Sequence, residues 1–147
     1  MTDTPPPPLE EWALGAHNAI RAMVDSVGGD VAVFDHDPLT FQTTLDDFVT
    51  RLPFKEFEED DWIWLHSQLV AYTADILIRN YGGRWARLTD ASLTPSHRYL
   101  IAAVSQDGVP RHIDLHSLVF EHLHPVPQRI PRLIERVLDA AGFSPQR

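Results

Sequence analysis

The sequence predicts an α+β fold: a long central helix, a small antiparallel sheet of three or four strands, and flanking N- and C-terminal helices. Two observations carry this prediction. Apolar residues cover most of the helical circumference between residues 62 and 81, which is typical of a helix buried on more than one side. After Gly83 the pattern becomes extended, and Asp107 and Gly108 are typical of a hairpin turn.

Length and composition predict one globular domain. A chain of 147 residues with 44% hydrophobic content can bury a core without metal or disulfide support. We expect a disordered, proline-rich arm at residues 1–8 and a single domain at residues 9–147. The N-terminus has no basic region followed by an apolar run, and no window approaches the length of a membrane span. These features favour a cytoplasmic location.

Two helices are expected before the central one. Apolar residues repeat at three and four over residues 9–27, and Gly28 with Gly29 favours a helix end there. Residues 31–34 are expected to form a short strand. Asp37 and Pro38 predict the start of a second helix, which Pro53 ends.

The central helix has a clear start and stop. The acids at residues 58–61 suit a helix N-terminus, and the glycines at 82–83 suit its C-terminal cap. A narrow polar strip is expected to face solvent, with Asp75 and Arg79 as an ion pair; its members are Ser67, Gln68, Asp75 and Arg79.

The second half predicts the sheet and two more helices. Residues 84–88 and 98–104 are expected to be strands separated by a loop at 91–96. A tight Asp107-Gly108 turn would pair Val104 with Arg111, Ala102 with Ile113 and Leu100 with Leu115. Pro110 cannot donate to a ladder, so its strand is expected at an edge. Asp114 is expected to cap a short helix, and residues 130–141 predict the last helix.

Charge and cysteine content exclude several function classes. The formal charge is -9, with 21 acids against 12 Lys and Arg residues, which argues against sequence-independent nucleic-acid binding. Cysteine is absent, which excludes disulfides, thiolate metal sites and a cysteine nucleophile. No nucleophile stands at a recognisable spacing from a base, and no phosphate-binding glycine loop is present. An acidic chain is suited to a basic protein partner, and no cofactor is expected.

The histidines at the HIDLH and EHLH segments form a possible metal site. Two histidines and a carboxylate suit non-haem iron, and neutral imidazoles suit zinc. The candidate ligands are His112, Asp114, His116, His122 and His124. The competing interpretation makes Asp114 a helix cap, which would end the strand and separate His112 from His116. His122 would then lie on or beside the buried stripe, and His124 would lie at a helix end.

Two residues of the central helix have more than one interpretation. His66 lies on the apolar arc, where it is either a core histidine with hydrogen-bond partners or a general base. Trp64 projects away from the main apolar face, beside Ala71 and Ile78. Either a second layer covers these three residues, or they form an exposed patch for a partner.

The Gly82–Trp85 step, GGRW, lies between the long helix and a strand, and is followed by RYLIAAV, a turn and IDLHSLVFEHL. This order resembles small uncharacterised bacterial α+β families, some of whose members look like immunity or accessory proteins of toxin systems. The resemblance covers residues 62–141. It implies no catalytic residues.

The leading hypothesis is a non-enzymatic protein-binding module. An acidic strip with Trp64 would contact a basic protein partner; the candidate residues are Glu56, Glu58, Glu59, Asp60, Asp61 and Trp64, with further acids at Glu10, Glu11, Asp46 and Asp47. The competing interpretation makes these acids solvated helix-start residues. The alternatives are a metal-binding domain or metal-dependent enzyme, and a homodimer formed through residues 109–113 or the Trp64 face.

Overall fold

The computed structural model describes residues 8–88, 99–124 and 126–143. The α+β fold is confirmed. The helices are α1 (Leu9–Ser26), α2 (Val31–His36), α3 (Gln42–Thr50), α4 (Glu59–Tyr81), α5 (Leu115–Leu123) and α6 (Ile130–Ala141), and the strands are β1 (Arg84–Arg87), β2 (Tyr99–Val104) and β3 (Pro110–Ile113). None of the described helices has the length and apolar character needed to cross a membrane. The expected proline-rich arm, apart from Pro8, and the expected loop at 91–96 lie outside the described residues.

Helix α4 is the central element, as predicted. Every residue from Gln68 to Leu77 is buried. A helix tolerates burial on all sides because its backbone hydrogen bonds are internal. At its start the backbone N–H of Glu58 donates to the carboxylate of Asp61 over 2.9 Å, and at its end Gly82 has φ 71°, a conformation that favours glycine.

The expected solvent-facing strip of α4 is wrong at two positions. Gln68 is 8% exposed and Asp75 is 4% exposed. Asp75 bonds to His17 of α1, with 2.7 Å between its Oδ2 and His17 Nδ1, so it does not serve as a surface partner of Arg79. Burial raises the pKa of Asp75, and the His17 bond opposes that shift. Helical periodicity shows which residues share a side, but not which other element packs there.

The sheet is antiparallel in the order β1-β2-β3, which places Pro110 on an edge strand of the described sheet, as expected. The predicted hairpin register is wrong by one residue, since Val104 pairs with Pro110 and Ala102 with His112. Three residues separate Ser105 from Val109, whose carbonyl accepts from the Ser105 N–H over 3.0 Å. Gly108 has φ 80°. A three-residue loop with a left-handed glycine replaces the expected two-residue turn.

The expected strand at residues 31–34 is wrong, because this segment forms α2. The Asp30 carboxylate accepts from the N–H groups of Ala32 over 3.0 Å and Val33 over 3.2 Å. This N-cap stabilises a helical turn in a segment whose β-branched residues favour a strand. Phe34 is then buried near the rings of Phe41 and Tyr72.

Asp46 joins α3 to α6 and is not part of an exposed acidic surface, contrary to expectation. It is 6% exposed. Its Oδ1 accepts from the backbone N–H of Ile130 over 2.9 Å, and its Oδ2 accepts from Arg129 Nε over 2.8 Å. Arg129 holds the pKa of Asp46 below its usual value. One carboxylate therefore caps the first turn of α6 and pairs with the residue before it.

Replacing Asp46 by alanine should lower the free energy of unfolding by about 1–3 kcal/mol, because the buried N–H of Ile130 loses its acceptor. Chemical denaturation at neutral pH measures this loss. The neighbouring Asp47→Ala substitution is the matched control, since Asp47 is exposed and forms an ion pair with exposed Arg51, so its cost should stay below about 0.5 kcal/mol. Equal costs for the two substitutions would contradict this account.

Candidate functional site

A groove between α1, α4 and α5 is the candidate functional site. It consists of two adjoining cavities of about 440 Å³ and about 780 Å³. Trp12, Ser67 and His116 line both cavities and form the boundary between them. We call the smaller one the apolar cavity, the larger one the aromatic cavity, and both together the interhelical groove.

The apolar cavity exists because small residues of α1 face α4. Gly15, Ala16 and Ala19 lie across from Val70 and Ala71. Side chains of this size do not fill the space between two packed helices. The opening can therefore accept an apolar side chain from outside the chain.

Aromatic and imidazole rings dominate the aromatic cavity. Its ring-bearing lining residues are Trp12, Trp62, His66, His116, Phe120 and His124. The Trp62 ring stacks on Phe54 with 5.6 Å between centroids, and its centroid lies 5.5 Å from that of His124. The Phe120 and His124 centroids are 4.4 Å apart. The rings hold one another in place and give the cavity rigid walls.

Trp12 is fixed at the centre of the groove. Its ring stacks on Tyr99 with 4.1 Å between centroids and meets Trp85 edge-on at 5.8 Å. The sheet therefore supports the wall that both cavities share. The Trp12 Nε1 is buried and has no hydrogen-bond acceptor among the described residues.

His66 has a structural contact and the groove serines are engaged. His66 Nε2 lies 2.9 Å from the backbone oxygen of His116, to which it donates, and this bond links α4 to α5. Ser67 Oγ donates to the Ile63 carbonyl over 2.9 Å, and Ser117 Oγ donates to Asp114 over 2.9 Å. Both hydroxyl protons are committed to helix-local bonds.

The rim of the groove is apolar and acidic. Ile63 of α4 is 56% exposed and Phe120 of α5 is 57% exposed. Glu11 and Glu121 also line the groove. No Lys or Arg occurs among the described residues that line it. The described rim therefore presents apolar side chains and negative charge to solvent.

The predicted partner-binding residues divide between two surfaces. Glu56, Glu58, Glu59, Asp60 and Asp61 are all exposed at the start of α4. Glu59 and Asp60 precede Ile63 by four and three residues, so these two acids lie next to it on the helix surface. Asp61 instead accepts from the backbone N–H of Glu58 in the N-terminal cap.

Trp64 lies on another side of α4, with its ring 6.3 Å from that of Phe48 and 41% of its surface exposed. The predicted patch with Ala71 and Ile78 does not form, since Ala71 is buried and Ile78 is half-buried. Trp64 is therefore not part of the groove.

The candidate metal ligands are dispersed. His112 is exposed on β3, and His122 is buried. Asp114 caps α5 by accepting from the Ser117 N–H over 3.2 Å, which ends the strand before His116. His116 and His124 both line the aromatic cavity. No three His, Asp or Glu residues in the described part of the chain are placed to hold a metal ion.

His17 forms a polar network that the sequence pattern did not indicate. Its Nδ1 contacts buried Asp75, and its Nε2 lies 3.4 Å from Asp35 Oδ1. Arg21 Nε lies 3.1 Å from the same Asp35 oxygen. Both ring nitrogens of His17 face carboxylates, which leaves neither directed at a substrate. The network joins α1, α2 and α4 and is structural.

The groove was not predicted from the sequence. The available signals were the exposed Phe120 and the small α1 residues Gly15, Ala16 and Ala19. They form a groove only because α1 and α5 both pack on α4. No family model, curated protein or solved structure matches the chain. The resemblance of residues 62–141 to immunity-like families therefore stays a prediction.

Acid should destabilise the protein through His122. Burial lowers the pKa of His122 to about 4, and the nearby Gln128 backbone opposes only part of that shift. Because the unfolded state takes up this proton near pH 6.5, stability is complete above that value and declines as the pH falls toward 4. The expected loss is about 2 kcal/mol between pH 7 and pH 5.

Denaturation curves at these two pH values, compared between wild type and His122→Leu, measure this effect. Between pH 7 and pH 5 the free energy of unfolding of the leucine variant should fall by about 2 kcal/mol less than that of wild type. His112→Ala is the control, because His112 is exposed on β3, and it should retain the wild-type slope. An unchanged slope in His122→Leu would show that another group controls acid sensitivity.

Proposed function

We propose that the protein is a non-enzymatic, cytoplasmic protein-binding module whose interhelical groove receives a basic, amphipathic segment of a partner protein. The observation that carries the proposal is the pair of adjoining cavities beside exposed Ile63 and Phe120. Exposed apolar groups next to a preformed concavity are typical of protein interaction sites.

Charge supports a basic partner. The groove is lined by Glu11 and Glu121, and exposed Glu59 and Asp60 lie four and three residues before Ile63 of its rim. Such a rim accelerates association with a positive segment and disfavours acidic ones. An immunity or accessory protein that binds a basic toxin would fit this chemistry, in agreement with the resemblance stated for residues 62–141.

A displayed random-peptide library tests the proposal. Selection on the wild-type protein, with counter-selection on an Ile63→Glu, Phe120→Glu variant, should enrich basic peptides with spaced apolar residues. Both substituted side chains are exposed, so the variant should keep its fold. Failure to enrich peptides, or enrichment of acidic ones, would contradict the proposal.

Charge reversal tests the acidic rim with a selected peptide. Glu59→Lys with Asp60→Lys should weaken binding about five-fold, because exposed charge pairs each contribute modestly. Asp25→Lys with Glu135→Lys is the matched control, since it changes net charge equally at exposed positions outside the groove lining. Isothermal titration calorimetry at physiological salt measures both. Equal weakening by the two pairs would assign the effect to net charge alone.

A homodimer is the second candidate function. Strand β3 is an edge of the described sheet, and Val104 and Val109 are exposed at its end by 57% and 48%. Unpaired edges of this kind can pair with a second chain. Sedimentation analysis tests this candidate. A doubled mass that persists in Trp64→Glu would support a dimer through the β3 edge, and one that falls in that variant would support a dimer through the Trp64 face. A monomer would remove the candidate.

A further inference from the structure

The aromatic cavity combines ring walls with one carboxylate. Trp12, Trp62 and Phe120 supply aromatic rings, and Glu121 supplies the negative charge. Imidazole rings complete the ring walls, from His66, His116 and His124. Ring faces attract cations, with Trp the strongest, and Arg is the more common partner. The volume of about 780 Å³ falls within the range of about 300–1,000 Å³ of small-ligand pockets.

The chemistry of these walls favours a planar cation. A guanidinium group can stack on a ring while its N–H groups donate to a carboxylate, whereas an ammonium group is compact and strongly hydrated. The lining contains no Lys or Arg in the described part of the chain, so no resident cation of those types occupies the walls. Glu121 supplies a carboxylate that a cation can pair with and that a neutral apolar ligand would not use.

We propose that the aromatic cavity binds the guanidinium group of an arginine side chain, stacked against the Trp12 and Trp62 walls and paired with Glu121. This inference rests on the proposed function, since it names the side chain of the basic partner that enters the groove. The apolar cavity, which shares Trp12 with the aromatic one, takes a neighbouring apolar side chain of the same segment. The recognised feature is an arginine beside an apolar residue.

Arg136 is the one nearby positive group that contacts Glu121 in the described structure. Its Nη2 lies 3.7 Å from Glu121 Oε2, and both side chains are substantially exposed, at 40% and 60%. A pair at this distance and exposure is weak. The Glu121 carboxylate therefore remains able to accept hydrogen bonds from an incoming guanidinium group.

Nuclear magnetic resonance titration tests this site without a partner. The probes are N-acetyl-arginine methylamide and its neutral isostere N-acetyl-citrulline methylamide, and the signals are the indole N–H resonances of the four tryptophans. The arginine probe should shift Trp12 and Trp62 and leave Trp64 unmoved. The citrulline probe should bind about five-fold more weakly, because it lacks the charge that rings and carboxylate attract.

Glu121→Gln should weaken the arginine probe about three-fold and leave the citrulline probe unchanged. Glu135→Gln on α6 is the matched control, since Glu135 is exposed and outside the lining, and it should bind both probes like wild type. Equal binding of the two probes, stronger binding of a lysine analogue, or no shift up to the solubility limit of the probe would overturn the inference.

The two proposals fail separately. If selected basic peptides bind wild type and Glu121→Gln equally, the binding module stands and the arginine site is wrong. If the arginine probe binds as expected but no displayed peptide is enriched, the cavity binds guanidinium and the protein-binding function is wrong.

Discussion

The burial of residues 68–77 of helix α4 on all sides is the constraint on which the rest of the structure depends. The backbone N–H and C=O groups of α4 bond to one another within the helix. Its buried polar side chains need partners on other elements, and these bonds determine where those elements pack. Tyr72 donates to the Pro38 carbonyl over 3.1 Å, Asp75 bonds to His17 of α1, and His66 bonds to the His116 carbonyl of α5. Three polar side chains of one helix thus bond to three separate parts of the chain that pack around it.

The outer elements are joined to one another by contacts of a different kind. Asp46 couples α3 to the start of α6, and the end of α6 meets the β2–β3 turn, where the Gln106 N–H donates to the Gly142 carbonyl over 3.2 Å. A Cβ at Gly142 would lie 2.3 Å from Ser105 Cβ, so this approach requires glycine in addition to its φ of 81°. Helix α6 is therefore anchored at both ends.

The interhelical groove is a consequence of this arrangement. Helices α1 and α5 both pack on α4, and the small residues Gly15, Ala16 and Ala19 leave space where a bulkier α1 would close it. The Trp12 ring is held by Tyr99 and Trp85 of the sheet, which makes the groove wall rigid before any ligand arrives. Preformed walls reduce the ordering cost of binding, and this supports the proposed recognition function.

The sequence by itself determined the α+β class, the central helix, its glycine stop and the Asp114 cap, because these depend on periodicity and on local hydrogen bonds. It indicated the acids that border the groove but grouped them with Trp64, which lies elsewhere, and with Asp46, which is buried. The helical α2, the one-residue shift of the hairpin, the His17–Asp75 contact and the groove were decided only in the tertiary structure. Each of these features depends on contacts between residues far apart in the chain, or on packing that selects between two local conformations. A local sequence pattern predicts neither.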